Sequence, residues 1–323
     1  MGTGTATDGA GAASPGGRAA ELIDQLPRGS WQERSFAFWA GRQLQATDRW
    51  WQPLSAAVLG ATSAVVSAAV ALGFRNVVVV DLHKLTDVLE AERTRPIITV
   101  SNHESGVDDP LLWGIMPWRL WTPDNTRWTM GAQELLYKTP PLNAFFALGQ
   151  TIPTIRGAGI HQLAVEIGLH KLNHNKWVHV FPEGKINQGP GLLRFKWGVG
   201  RLVMEAERTP VVVPIFFSGL REVLPLRQPV PVPWLNPFKR ELYVRVGDPI
   251  DLSAQVREWR AARSVLDSPE AAAQLDRRVR AAISERLRAA VDDLKTEFSC
   301  ASAPPPEARA RQPSQAPDPA KPA

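Results

Sequence analysis

The stretch "PIITVSNHESGVDDPLLWG", residues 96–114, joins an apolar run of strand length to a cluster of polar and charged side chains. Burying so much polarity at the end of a core strand costs free energy unless the groups are paired or used. Asp109-Pro110 suits a helix start, because proline is tolerated in the first turn and acidic groups there complement the helix dipole. Strand, loop and helix are therefore predicted, with His103 in the loop and Asp108 where the helix begins. The turn folds the intervening residues back, so the two side chains can meet. An aspartate accepting the Nδ1–H of a histidine fixes the tautomer and leaves Nε2 free to take a proton. A hydroxyl bonded to Nε2 then becomes a nucleophile without any covalent enzyme intermediate. The plainer alternative makes His103 and the acids helix-capping groups.

Outward from this stretch, "VVVVDL" (77–82), "WVHVF" (177–181) and "VVVPIFF" (211–217) have strand length and composition. The strand signal is weaker in "TIPTI" (151–155) and "ELYVRV" (241–246). Helix-like segments fall between them at 110–117, 130–148, 159–175 and 192–206. This alternation predicts an α/β fold with a largely parallel central sheet covered by helices. Further on, 270–298 spaces Leu275, Val279, Ile283, Leu287, Val291, Leu294 and Phe298 at intervals of three and four. That pattern predicts one amphipathic helix docked on the sheet.

Apolar residues make up 44% of the 323-residue chain, enough for a substantial core. The net charge of +5 favours an anionic partner: a phospholipid surface, a nucleic acid or a phosphorylated substrate. No nucleic-acid recognition motif accompanies that charge. The 12 tryptophans suit either a membrane interface or a Trp-rich core. Cys300 is the only cysteine, which excludes an internal disulfide and a cysteine zinc site.

Residues 1–30 are expected to form a flexible arm, and 299–323 a disordered Pro/Ala-rich tail. Residues 31–76 form the expected membrane-associating segment, with an N-terminal anchoring helix. No formal charge occurs from Trp50 to Phe74, a length that can cross a bilayer. The segment is diluted by Ala, Ser, Thr and Gly, and so suits a spanning helix, a shallow anchor or a buried helix. The remaining 77–298 is the expected catalytic domain.

In open α/β sheets the strand ends share a crevice. "FPEGKINQG" places Glu183, Gly184 and Lys185 in a turn after "WVHVF", and "TIPTIRGAG" places Arg156 after another apolar run. Arg156 and Lys185 suit a phosphate there, the arginine as a bidentate fork and the lysine as a point charge. Arg194, Lys196 and Arg201 add basic charge in "GPGLLRFKWGVGRLV". A metal site is disfavoured, because position 107 is valine and H-E-x-x-H is absent. His170 and His174 stand four apart without a neighbouring glutamate and are expected to be exposed. Ser105 lacks a G-x-S-x-G elbow, which disfavours a serine hydrolase. A non-enzymatic lipid-binding protein would suit the charge and the tryptophans, but has no use for the His–Asp pair.

"NHESGVDDP" resembles the N-H-x4-D block of the glycerolipid acyltransferase superfamily, and "FPEGK" its F-P-E-G block. "TIRG" sits where the family's arginine block falls, and "VVVPIF" is similar to its fourth block. Four blocks in order are a specific signal, covering roughly residues 55 to 260. Lys185, where most members carry threonine, resembles the branch that exchanges acyl chains between phospholipids and lysophospholipids. The resemblance implies His103 as general base and Asp108 as its orienting partner. It implies that Glu183 and Gly184 shape the acceptor and acyl-carbonyl site, and that Arg156 and Lys185 engage lipid phosphate. Asn102, Ser105 and Asp109 belong to the first block without an assigned role. A membrane-bound acyltransferase of mitochondrial membranes, remodelling cardiolipin without metal or bound cofactor, is what the resemblance implies. A lysophospholipid acyltransferase using acyl-CoA is the alternative on the same fold.

Overall fold

The computed structural model describes residues 15–45, 49–91, 94–224 and 241–301. Strands that are apolar throughout need cover on both faces. Ile97–Ser101 and Trp177–Val180 are buried at every position and sit in the middle of a layered sheet. Among the described residues the elements run α1 (Pro15–Asp24), α2 (Trp31–Leu44), α3 (Trp51–Gly73), β1 (Asn76–Val80), α4 (His83–Glu90), β2 (Ile97–Ser101) and α5 (Asp108–Gly114). There follow β3 (Trp128–Ala132), α6 (Gln133–Leu136), α7 (Pro140–Leu148), β4 (Thr151–Thr154), α8 (Leu163–Asn173), β5 (Trp177–Val180) and α9 (Gly198–Glu205). The chain continues through β6 (Val211–Ser218), β7 (Glu241–Val246), β8 (Ile250–Asp251), α10 (Ser253–Ser264) and α11 (Pro269–Ala301).

The strand order is β1-β7-β6-β2-β5-β3-β4, with β8 beside β6. Strands β6, β2, β5, β3 and β4 are parallel, so their C-terminal ends open on one edge. Strands β7 and β8 run against β6, and β1 follows β7. The expected largely parallel sheet is present, with a reversed margin.

Alternation along β2 divides the core between two helical layers. Ile97 packs with Leu111, Leu112 and Trp113 of α5 and with Val70 of α3. Ile98 and Val100 pack with Leu169 of α8, Val203 of α9 and Leu287 of α11. Helix α3 lies along α5 and α7. Its inner stripe, Trp51, Ser55, Leu59, Ser63 and Val70, is buried along its whole length. The Ser55 hydroxyl donates to the Leu148 carbonyl at 2.7 Å, which satisfies a polar group inside that contact. Leu54, Val65 and Leu72 point outward and are exposed.

Several expectations change. The arm foreseen over 1–30 is helical from Pro15 to Asp24: Ala19 and Ile23 are buried, and Arg18 Nε donates to the buried Glu166 of α8 at 3.0 Å. Residues 1–14 and 302–323 lie outside the described residues, and α11 runs through 299–301. The segment 31–76 is two helices, and α2 belongs to the fold, with Phe36, Ala37 and Ala40 buried. The helix foreseen over 130–148 is strand β3 followed by α6 and α7. Gly131 hides that strand in the sequence, yet a Cβ there would stand 2.7 Å from Thr151 Cγ2 of β4. Pro140 then restarts the helix. In 192–206 only Gly198–Glu205 is helical, because the amides of Leu193 and Lys196 bond to the Glu183 turn instead. His170 is half-buried, its Nε2 3.2 Å from the Leu44 carbonyl oxygen, and burial pushes its ring down to about 4. His174 is exposed, as expected.

Candidate active site

The parallel strands deliver their loops to one edge, and the site is built from those after β2 and β5. Asn102 begins it. Its Nδ2 donates to the Phe217 carbonyl and its Oδ1 accepts the Phe217 amide, both at 2.9 Å, so a side chain extends the β2–β6 pairing. His103 follows, with its ring stacked on Phe181 at 4.2 Å between centroids. His103 Nδ1 stands 2.8 Å from Asp108 Oδ2. The same oxygen accepts the amides of Glu104 at 2.6 Å and Ser105 at 2.9 Å. Asp108 is completely buried while the imidazole is 20% exposed, so the pair reaches solvent only through the ring. Burial pushes the Asp108 carboxyl up, opposed by His103 and by the two amides. With Nδ1 committed to Asp108, Nε2 is the ring nitrogen available to a ligand.

The turn after β5 closes on this loop. Glu183 is buried; its Oε1 accepts the His103 amide at 3.1 Å, and its Oε2 accepts Asn187 Nδ2 at 2.8 Å and the Leu193 amide at 2.9 Å. The Asn187 amide donates to the His103 carbonyl at 2.7 Å. Gly184 holds φ at +68°, a backbone conformation that calls for glycine, while a Cβ there would meet only the flexible end of Lys196. Lys185 is exposed on the same turn.

Beneath the site, Asp109 receives Arg127 Nε at 2.7 Å, and the guanidinium lies 4.9 Å from the Trp113 ring centroid. Burial alone would raise the Asp109 carboxyl, but the Arg127 charge and hydrogen bonds hold it below the usual range. His179 is buried with Nδ1 2.6 Å from Thr99 Oγ1, and burial pushes it down to about 3, so it stays neutral. Its ring meets Phe181 edge-on at 4.5 Å.

Glu104 points the other way, into a cavity of about 360 Å³ lined by Asn187, Phe216, Arg221 and the α11 residues Lys295 and Phe298. Burial raises its carboxyl, against the charge of Arg221, 3.5 Å away. Arg156 is elsewhere. It pairs with Glu134 in a separate pocket of about 490 Å³ that also holds Lys138. Strands β5 and β3 separate β4 from β2, which puts Arg156 at about 14 Å from the His103 loop at ordinary strand spacing.

His103, Asp108, Glu183 and Gly184 are thus brought together, Lys185 stands on their rim, and Arg156 does not join them. Phe181, Asn187, Arg127 and His179 were not singled out in the sequence. Of these only Asn187 carries a local signal, since Asn-x-Gly reads as an Asx turn, and its Oδ1 accepts the Gly189 amide at 3.0 Å.

Residues 78–218 match the family model described as acyltransferase. A tafazzin of Dictyostelium discoideum is 44% identical over 162 residues, 48% of this chain and 55% of that protein. A tafazzin of Drosophila melanogaster is 31% identical over 263 residues, 80% of this chain and 65% of that protein. An N-acylphosphatidylethanolamine synthase of Arabidopsis thaliana is 37% identical over 181 residues, 54% of this chain and 61% of that protein. The chain therefore spans 55 to 65% of the length of these relatives.

Proposed function

We propose that the chain is a membrane-bound phospholipid–lysophospholipid transacylase of the tafazzin type, a reading supported by the match of residues 78–218 to the acyltransferase family model and by the likeness to tafazzins. His103 is the general base and Asp108 its orienting partner. The observation that carries this is the 2.8 Å bond from a buried carboxylate to a partly open imidazole.

The lysolipid hydroxyl gives its proton to His103 Nε2 as its oxygen attacks the donor's ester carbonyl. The tetrahedral intermediate collapses by releasing the donor's glycerol oxygen, which takes the same proton back. One ester forms and one breaks, so the free energy changes little and exchange runs in both directions. While His103 is charged, Asp108 and the stacked face of Phe181 stabilise it. Glu183 acts at one remove, because its oxygens hold the loops together. Lys185 is assigned to the lipid phosphate, and Arg156 takes no part at the reacting carbon. No metal or cofactor enters the scheme, so chelation leaves the rate unchanged.

Helix α3 is read as lying on the membrane, with its outer side among the lipids. Its inner stripe is packed over about 28 Å, from Trp51 to Val70. A crossing helix would drag α5 and α7 into the hydrocarbon with it. Cardiolipin as substrate and mitochondrial membranes as location are supported by the likeness to tafazzins alone.

The test uses vesicles of acyl-labelled phosphatidylcholine with an unlabelled lysolipid, with and without acyl-CoA, plus an arm offering phosphatidylethanolamine as an amine acceptor. Label reaching the lysolipid without acyl-CoA supports the proposal. Transfer from acyl-CoA alone, or to the amine alone, replaces it with the corresponding acyltransferase.

A further inference from the structure

Glu183 and Asn187, four positions apart on one turn, hold the backbone of a single residue of another loop at both its N–H and its carbonyl. Glu183 Oε1 takes the His103 N–H at 3.1 Å, and the Asn187 N–H goes to the His103 carbonyl at 2.7 Å. Asn187 supplies the second grip directly and braces the first, since its Nδ2 donates to Glu183 Oε2 at 2.8 Å. The same Nδ2 donates to the Gly191 carbonyl at 2.7 Å, and Oδ1 accepts the Gly189 amide. All polar atoms of the amide are used, and within protein.

Resting on the acyl-transfer reading above, we infer that Asn187 is a positioning residue for His103: it fixes where the imidazole stands relative to the two lipid oxygens, without meeting either. The amide is suited to this by donating to a carboxylate while accepting from a backbone N–H. An aspartate keeps the acceptor but turns the donor into a second negative charge facing Glu183. The remaining charged groups around the pair are Glu104, Arg221 and Lys295 along the cavity, His103 above it, and Lys196 beside Gly184. General bases tolerate little displacement: about 1 Å of misplacement costs on the order of a hundredfold in rate.

The full chain is compared with Asn187→Asp and Asn187→Ala by kcat and KM for acyl exchange, by unfolding temperature, and by the Nδ1–H proton signal of His103, assigned by its loss in His103→Ala. For N187D, kcat falls about tenfold to a hundredfold near neutral pH while KM stays within about twofold. Its Nδ1–H signal shifts and exchanges faster. On acidification from about pH 8 to about pH 6, the rate of N187D relative to wild type rises, because a proton shared by two carboxylates restores the bond. The same ratio for N187A stays flat. A wild-type kcat and an unmoved Nδ1–H signal in N187D overturn the inference. So does an equal loss in both variants at every pH, tracking a fall in unfolding temperature. A wild-type protein that moves no acyl chain overturns the proposed function instead, and the Nδ1–H comparison then decides the inference by itself.

Discussion

Helices α3 and α11 are both long and both lay one buried stripe on the domain: Val70 of α3 packs in the layer of α5, Leu287 and Val291 of α11 in the layer of α8 and α9, which Trp51 of α3 also reaches. Their outer surfaces differ in kind. Helix α3 carries no charged residue in its 23 positions and exposes Leu54, Val65 and Leu72. Helix α11 exposes Arg277, Arg278, Glu285, Arg286 and Asp293. Equivalent packing with such different outsides is what a domain resting on a membrane by its α3 side, as proposed above, would show. The loop after β2 follows the same division. His103 binds Asp108 of α5 on the α3 side, while Glu104 points to the cavity beside α11.

The sharpest test of that division lies within the loop. His103→Ala should reduce acyl transfer about a thousandfold, and Asp108→Asn by a similar factor, as loss of a general base or its orienting partner does. Arg221→Gln, on the cavity side of the same loop, should keep the rate within about threefold of wild type, since an exposed charge is worth little. A vesicle assay showing all three equally impaired would remove the distinction between the sides.

Stability should separate the inner stripes from the outer ones. Leu287→Ala empties a fully buried position of α11 and should cost about 2 to 5 kcal/mol in denaturant unfolding. Val65→Ala, 70% exposed on α3, should stay within about 0.5 kcal/mol. Membrane binding should reverse that ranking. Val65→Asp with Leu72→Asp should weaken sedimentation with anionic vesicles about tenfold or more, because charged groups are costly among lipid tails. Arg286→Asp on α11 should change it by no more than about twofold, since a charge kept in water is worth little. The smallest effect belongs to Arg156→Ala. Its pair with Glu134 is half exposed at both ends, and both stability and rate should stay within about twofold of wild type.

Legibility in the sequence followed the range of the interactions. His103 and Asp108 meet through a local turn, so five positions of sequence were enough to foresee the bond. Strands β2, β5 and β6 announced themselves because central parallel strands, covered on both faces, are predominantly apolar. Strand β3 did not, since its fourth residue, Gly131, is a glycine required by the approach of β4, which no local pattern shows. Pro140 and Pro141 mark the break between α6 and α7, a local signal that outranks the apolar spacing around them. Glu183 was noticed, but its purpose depends on the His103 amide 80 positions away. Arg156 stands apart from the His103 loop for the converse reason: strand ends share an edge, but an edge five strands wide is broader than the His103–Glu183 cluster.

The lengthwise packing of α3 has a consequence for how the proposed reaction would be fed. A domain resting on one leaflet draws both partners from that leaflet and cannot reach the far one. Its rate then follows the number of lysolipids per unit of surface, and spreading the same lipid over more vesicles dilutes the substrate even when its bulk concentration is unchanged. Acyl chains on the two sides of the bilayer would equilibrate only as fast as lipids flip.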